Sequence, residues 1–255
     1  MDRVIYTAMN GAARTAEHQS VLSNNLANVS TPGFREQLAM YRSVPVNDGT
    51  SLPTRVATAA TTPGSNFAMG VMQSTGRELD VALSSGQGWF AIQTPQGEAY
   101  TRAGSLQVGV NGLLQTAAGQ PVLSDQNVLI DIPDQAALTI ASDGTITALG
   151  AGDPPNNVLN MGRLKMVNAP QSQLLRGDDG LFRMPAQANG QPAALLPADP
   201  GQRLIAGVVE GSNVSASGAM VAMIENARRF EMQMQVVSEA NRNAERANSL
   251  LSSTT

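Results

Sequence analysis

No proline or glycine occurs after Gly218, and the segment that follows carries a heptad rhythm of apolar residues. One seam reads Met223, Phe230, Val237, Ala244 and Leu251; a second reads Met220, Ala227, Met234, Asn241 and Asn248. Between them sit Glu225, Arg228, Arg229, Glu239, Arg242, Glu245 and Arg246. A narrow apolar stripe in this spacing predicts one long helix of coiled-coil type. At about 1.5 Å per residue it reaches roughly 50 Å. A small globular core cannot cover a stripe of that length, so the chain needs a second helix of similar extent.

The matching pattern lies at the other end. From Asp2 to Val29 one seam reads Ile5, Ala12, Gln19 and Leu26, and the other Ala8, Thr15, Leu22 and Val29. The stripe is thin, because alanine supplies much of it, and small seam residues let helix backbones approach closely. The two termini are therefore expected to pair as a coiled-coil-like hairpin. The residues expected to carry its packing and its contacts with other chains are Ile5, Ala8, Ala12, Leu22, Leu26, Val29, Met223, Ala227, Phe230, Met234, Val237 and Ala244. The first helix is expected to stop at Asn28, because Pro32 biases Thr31 away from helical angles and Pro-Gly suits a type II turn with Gly33 at positive φ. Three asparagines in five residues, Asn24, Asn25 and Asn28, are unusual for a helix. Capping explains Asn28 at least as well as function does. Amide hydrogen bonds to a neighbouring helix are the expectation for Asn24 and Asn25.

Between the helices the periodicity changes. Residues 35–75 have no firm period and read as a connector with short strands, near 55–59 and 69–73, and a turn at Asn47-Asp48-Gly49. From Gly76 the chain reads as short strands separated by turns. Trp89 to Gln93 and Glu98 to Arg102 flank a Pro-Gln-Gly turn, and Asn111-Gly112 marks a second hairpin. Asn160 to Val167 and Arg203 to Glu210 read as later strands, and Ser212-Asn213 as the cap of the last helix. Trp89, Phe90 and Tyr100 are expected in a core. The fold class is thus α+β, with an inserted, mainly antiparallel β domain. The expected parts are 1–34 with 212–255, a connector at 35–75, and a β-rich domain at 76–211.

Composition removes most chemistry. The chain has no cysteine and a single histidine, His18, which excludes thiolate metal sites and Cys–His nucleophiles. His18 is expected at a surface or intersubunit contact. Asp178-Asp179 lacks the ligand spacing of a calcium loop, and Gly86-Gln87-Gly88 precedes a strand, the wrong context for a phosphate loop. No enzyme activity, cofactor, metal or small-molecule substrate is expected. A net charge of −4 does not favour nucleic acid. No apolar run is long enough to span a membrane, and Met1 to Ala16 does not read as a cleaved export signal.

The run Ser23-Asn24-Asn25-Leu26-Ala27-Asn28-Val29-Ser30-Thr31-Pro32-Gly33-Phe34 resembles the N-terminal motif of bacterial flagellar rod, hook and hook-associated proteins. Residues 1–9, 75–83, 88–90, 100–105 and 210–214 extend the resemblance, which is strongest to proximal-rod subunits of the basal body. The resemblance implies a structural subunit of the rod in the periplasm. Its terminal helices would form the inner tube around an export channel, and its β domain would lie outside. It would transmit torque, be exported without a cleaved signal, and contact copies of itself, other proximal-rod subunits and the distal-rod protein. It also implies that Asn24, Asn25, Asn28, Thr31, Pro32, Gly33 and Phe34 carry family roles. A distal-rod or hook-type subunit is the near alternative. A secreted β-rich carbohydrate-binding or hydrolytic protein is the alternative of another class. That reading needs an acid pair or an aromatic platform, and aromatics are only 4% of the chain.

Overall fold

The computed structural model describes residues 2–45, 56–61, 64–133, 136–150, 154, 157–186 and 193–252. The expected Asn47-Asp48-Gly49 turn lies outside these residues. The chain divides into two compact units, Met1–Val29 with Glu36–Asn66 and Val214–Thr255, and Ser30–Arg35 with Phe67–Asn213.

The first unit holds two helices, α1 (Asp2–Ala27) and α2 (Ala216–Ser252). α1 ends where expected. The Asn28 amide bonds to the carbonyls of Asn24 and Asn25, and its side-chain Nδ2 donates to Asn24 O at 2.9 Å. That is the capping reading of Asn28. α2 starts later than Ser212-Asn213 would have it. Ser215 Oγ accepts from the Gly218 amide at 3.2 Å and supplies the cap. Asn213 instead donates to Ala68 O at 2.9 Å, within the second unit.

Part of the expected connector belongs to the helical unit. Gln37–Leu38 pairs with Gly64–Ser65, and Tyr41–Pro45 with Val56–Ala60, both antiparallel. Residues 67–75 belong to the other unit, because Met72–Ser74 pairs with Val208–Glu210. The separate 35–75 segment is thus split by strand pairing.

The described elements of the second unit are strands, apart from one 3-10 turn at Gln171–Gln173. A five-stranded antiparallel sheet runs in the order Met166–Asn168, Gly88–Thr94, Gly97–Thr101, Phe182–Arg183, Leu175–Arg176. Gly88–Thr94 is an interior strand, paired on both sides and buried on both faces, as its near-continuous apolar run requires. Successive residues point to opposite faces. Phe90 and Ile92 therefore enter one core, with Val81, Leu114 and Ile146, while Trp89 and Ala91 enter another, with Tyr100 and Phe182. The Trp89 and Phe182 rings lie 4.8 Å apart, and Phe67 closes on both.

Other strands form smaller sheets. Ala137–Ile140, Thr145–Leu149 and Val158–Arg163 form a three-stranded sheet, with a register shift between Ile146 and Thr147. The expected strand from Asn160 to Val167 is two strands in different sheets, turning at Leu164-Lys165. Lys165 explains the change of sheet. Its buried Nζ donates to both Glu98 oxygens at 2.8 Å and to Asn127 Oδ1 at 2.6 Å, so all three protons are used. The expected strand from Arg203 to Glu210 is likewise broken at Gly207 (φ 72°), with Leu204–Ala206 on Val81–Leu83 and Val208–Glu210 on Met72–Ser74.

Candidate functional site

The two helices of the first unit run antiparallel, because positions 11, 15 and 19 of α1 meet positions 233 and 226 of α2. Asn226 Nδ2 donates to Thr15 O and to Gln19 Oε1, each at 2.8 Å. The Thr15 hydroxyl lies 3.0 Å from Gln233 Oε1 and 2.9 Å from Gly11 O. Gln233 lies so close over Gly11 that a Cβ there would be 2.9 Å from its Nε2.

Ala12, Thr15 and Leu22 of α1 are buried, and Ile5, Ala8, Leu26 and Val29 half-buried. On α2, Ala219 and Asn226 are buried, and Met223, Gln233, Val237, Ala240 and Ala244 half-buried. The expected second seam does not face α1. Met220, Ala227 and Met234 are exposed, and so is Phe230, at 40%. The inward row sits one residue earlier than expected. Apolar periodicity favours the methionine row, but the small residues of α1 leave room for long amides that find partners on its carbonyls and side chains. Met220, Val221, Ile224, Phe230, Met232 and Met234 are all left exposed on this helix, and all but Phe230 lie on the sides turned away from the Asn226 column. A shallow cleft of the same unit is lined by Val4, Met232 and Val236 with Gln235 and Glu239.

His18 is half-buried in the same unit. Its Nδ1 is 3.3 Å from Asn226 Oδ1, and its ring meets Tyr41 edge-on. His18 thus makes a contact inside the chain and keeps part of its surface open.

The asparagine motif also serves the backbone. Asn25 is buried; its Nδ2 donates to Gln37 O at 2.9 Å, and its Oδ1 accepts from Gln37 N at 2.8 Å. This side-chain amide mimics a strand partner and holds the start of the short sheet. It bonds to an extended segment, not to a neighbouring helix as expected. Asn24 is exposed, and its backbone carbonyl receives Asn28.

In the second unit, Thr31-Pro32-Gly33-Phe34 forms the expected turn, with Phe34 N bonded to Thr31 O and Gly33 at φ 71°. Gly33 also donates to Glu210 O at 2.7 Å and packs on the backbone of Arg102-Ala103, 2.4 Å from where a Cβ would lie. Three runs quoted separately in the sequence converge here, the Pro-Gly turn, Arg102-Ala103-Gly104 and Glu210-Gly211.

They enclose a buried charge cluster. Glu210 Oε1 accepts from Arg35 Nη2 at 2.7 Å and from the Gly70 amide at 2.9 Å. Glu210 Oε2 accepts from Arg102 Nε at 2.8 Å, with Arg102 Nη2 2.6 Å away. Arg102 Nη1 continues to the carbonyls of Ser85 and Gly88. Arg176 donates to Arg35 O and stacks over Phe34, 4.5 Å from its ring centre. Burial lowers the affinity of the Arg102 guanidinium for its proton; Glu210 opposes that shift and Arg35 adds to it. Burial likewise lowers Arg176. Such a cluster fixes backbone segments in place and offers no exposed reacting group. Sequence reasoning missed it, because its partners are 108 and 175 positions apart. The one available signal was that Arg102 and Glu210 lie in runs shared with the resembling family.

Among the described residues no group of three His, Cys, Asp or Glu could hold a metal ion, and no helix is long and apolar enough to cross a membrane.

Known proteins identify the lineage. Residues 5–35 match the family described as flagella basal body rod protein, residues 84–148 the flagellar hook protein FlgE/F/G D1 domain, and residues 205–250 the flagellar basal body rod FlgEFG protein C-terminal. The flagellar basal-body rod protein FlgF of Escherichia coli (strain K12) is 53% identical over 253 residues, covering 99% of both chains. FlgF of Salmonella typhimurium is 51% identical over 253 residues, again covering 99% of both. The flagellar basal-body rod protein FlgG of Agrobacterium fabrum is 30% identical over 259 residues, covering 94% of this chain and 95% of that one. The chain therefore belongs to the flagellar basal-body rod protein family and is FlgF-like along its length.

Proposed function

We propose that this protein is a structural, non-enzymatic subunit of the flagellar basal-body rod, polymerising through its terminal helices with copies of itself and with other rod proteins. Full-length similarity to FlgF proteins supports the rod assignment. The observation that carries the assembly mode is the set of exposed apolar side chains on α2. Met220, Val221, Ile224, Met232 and Met234 are each between 46% and 57% exposed in the single chain. Large apolar side chains at this density on one helix mark a surface that another chain covers. Flexible thioethers suit contacts that differ from one neighbour to the next. In this reading α1 and α2 form a coiled-coil-like hairpin in the inner tube around the export channel, and 76–211 makes the outer layer. The twelve seam residues and the Asn24–Phe34 motif carry assembly, the former by packing and the latter by holding chain direction. Torque passes along many parallel helical contacts, the subunit sits in the periplasmic part of the basal body, and it is exported without a cleaved signal.

The test is co-assembly. Purified protein mixed with the other rod proteins is expected to enter sedimenting rods, while the double variant Met220→Glu/Met234→Glu stays in the supernatant with unchanged helical circular dichroism. Rods that incorporate the variant as well as the parent would overturn the assembly mode.

A further inference from the structure

We infer that Asn226 and Gln233 determine the register and rotational phase of α2 on α1, and so decide which apolar row is left for neighbouring chains. The inward column of α2 runs Ala219, Asn226, Gln233, Ala240, and its two amides face Gly11, Thr15, His18 and Gln19. Alanine repeated at heptad spacing packs almost equally well when one helix slides by seven residues, about 10.5 Å. The apolar part of this seam therefore discriminates poorly between registers. The polar part discriminates strongly.

Asn226 is 4% exposed, so each of its polar atoms needs a partner within the pair. Its Nδ2 has two, Thr15 O and Gln19 Oε1, and its Oδ1 faces His18 Nδ1. Sliding α2 one heptad in one direction moves this amide to the level of Leu22. Sliding it the other way puts Ala219 beside the Thr15 carbonyl and Gln19. Either slip leaves buried amide groups without partners. Gln233 lies close over Gly11, where an added Cβ would sit 2.9 Å from its Nε2 and the flexible amide would have to shift. Thr15 has one proton for two acceptors, and turning the Gln233 amide over lets that amide donate to the hydroxyl while the hydroxyl donates to Gly11 O. The next residues along, Met220, Ala227 and Met234, lie about 100° further round the helix. They stay outside only while Asn226 and Gln233 point in. A polar residue at one seam position setting register at some expense of stability is a general property of paired helices. The consequence for assembly rests on the rod-subunit reading; the register itself does not.

The test uses the full chain, which has no cysteine, so engineered pairs report without background. One turn beyond Gly11–Gln233, Ala8 comes opposite Val237. Ala8→Cys is combined in turn with Phe230→Cys, Val237→Cys and Ala244→Cys, and intrachain disulfide is quantified at low concentration. With Asn226 and Gln233 present, the 8–237 product is expected to exceed each off-register product by at least about tenfold, the penalty of an unsatisfied buried amide. In Asn226→Leu/Gln233→Leu the 8–230 and 8–244 products are expected to rise at least fivefold relative to 8–237, with helical circular dichroism retained. Unchanged selectivity for 237 in that background would overturn the inference. If the double variant loses its helical signal, Asn226→Ala, which removes the amide without adding bulk, is read by the same two outcomes. Because the measurement is made on monomer, correct register with failed rod incorporation would count against the rod reading alone.

Discussion

Replacing Glu210 by glutamine is the most informative single change in the β-rich unit. The substitution keeps the shape and leaves an oxygen for the Gly70 amide, 2.9 Å away, but removes the charge that Arg35 and Arg102 share. All three side chains are at most 1% exposed, so water cannot take over. Breaking a buried ion pair by removing one partner costs about 3–5 kcal/mol, a large part of the roughly 5–15 kcal/mol that holds a domain folded. At about 2–4 °C per kcal/mol for a domain of this size, the midpoint should fall by roughly 6–20 °C. Trp89 is the sole tryptophan, buried in this unit with the Arg102 guanidinium 5.9 Å from its ring centre. Its fluorescence reads this unit, while far-ultraviolet helical signal reads the other. The full apolar replacement Arg35→Met/Glu210→Met/Arg102→Met supplies the control, because a well-packed apolar substitute for a buried charge cluster is often neutral or stabilising. A Glu210→Gln midpoint within about 2 °C of the parent would refute the claim that the carboxylate holds the cluster.

Three further outcomes are expected. Gly33→Ala should destabilise the β unit by at least about 1–2 kcal/mol from the left-handed backbone alone, with the contact on Arg102-Ala103 in addition, read by the Trp89 thermal midpoint; an unchanged midpoint would count against it. Asn25→Ala should release Gln37 and raise amide exchange across 36–38 and 64–66 while leaving exchange in the middle of α2 unaltered. Asp143, Asp179 and Asp199 are all held below the ordinary carboxylate range, chiefly by hydrogen bonds from Thr145, Arg183 and Gln202 respectively. A depressed carboxylate stabilises above its unfolded value, about 3.9, and that contribution is lost as pH falls through the folded value. Thermal stability of the β unit should thus stay level down to about pH 4 and decline below, less steeply in Asp179→Asn.

The parts of this molecule that were legible in the sequence are those fixed by local chemistry. The helix ends at Asn28, the Gly33 turn at positive φ and the strand Gly88–Thr94 follow from capping, Pro-Gly geometry and an apolar run bounded by turns. What escaped depended on partners distant in the chain. The inward face of α2 was misplaced by one residue because hydrophobic counting favours Met220, Ala227 and Met234 over Asn226 and Gln233. Only the small residues and carbonyls of α1 reverse that preference. The sequence points Asn25 towards a helix, since nothing local shows that Gln37 returns beside it. The Glu210 cluster gave no periodic signal at all, because burying one carboxylate between two guanidiniums is a tertiary event.

Assembly through α2 requires neighbouring chains to cover its exposed apolar side chains. Met234→Cys gives a single thiol in a chain that has none, at a site 46% exposed in the single subunit. Maleimide labelling is expected to be rapid in free protein and slowed at least about tenfold in assembled rods. Equal labelling rates before and after assembly would contradict it.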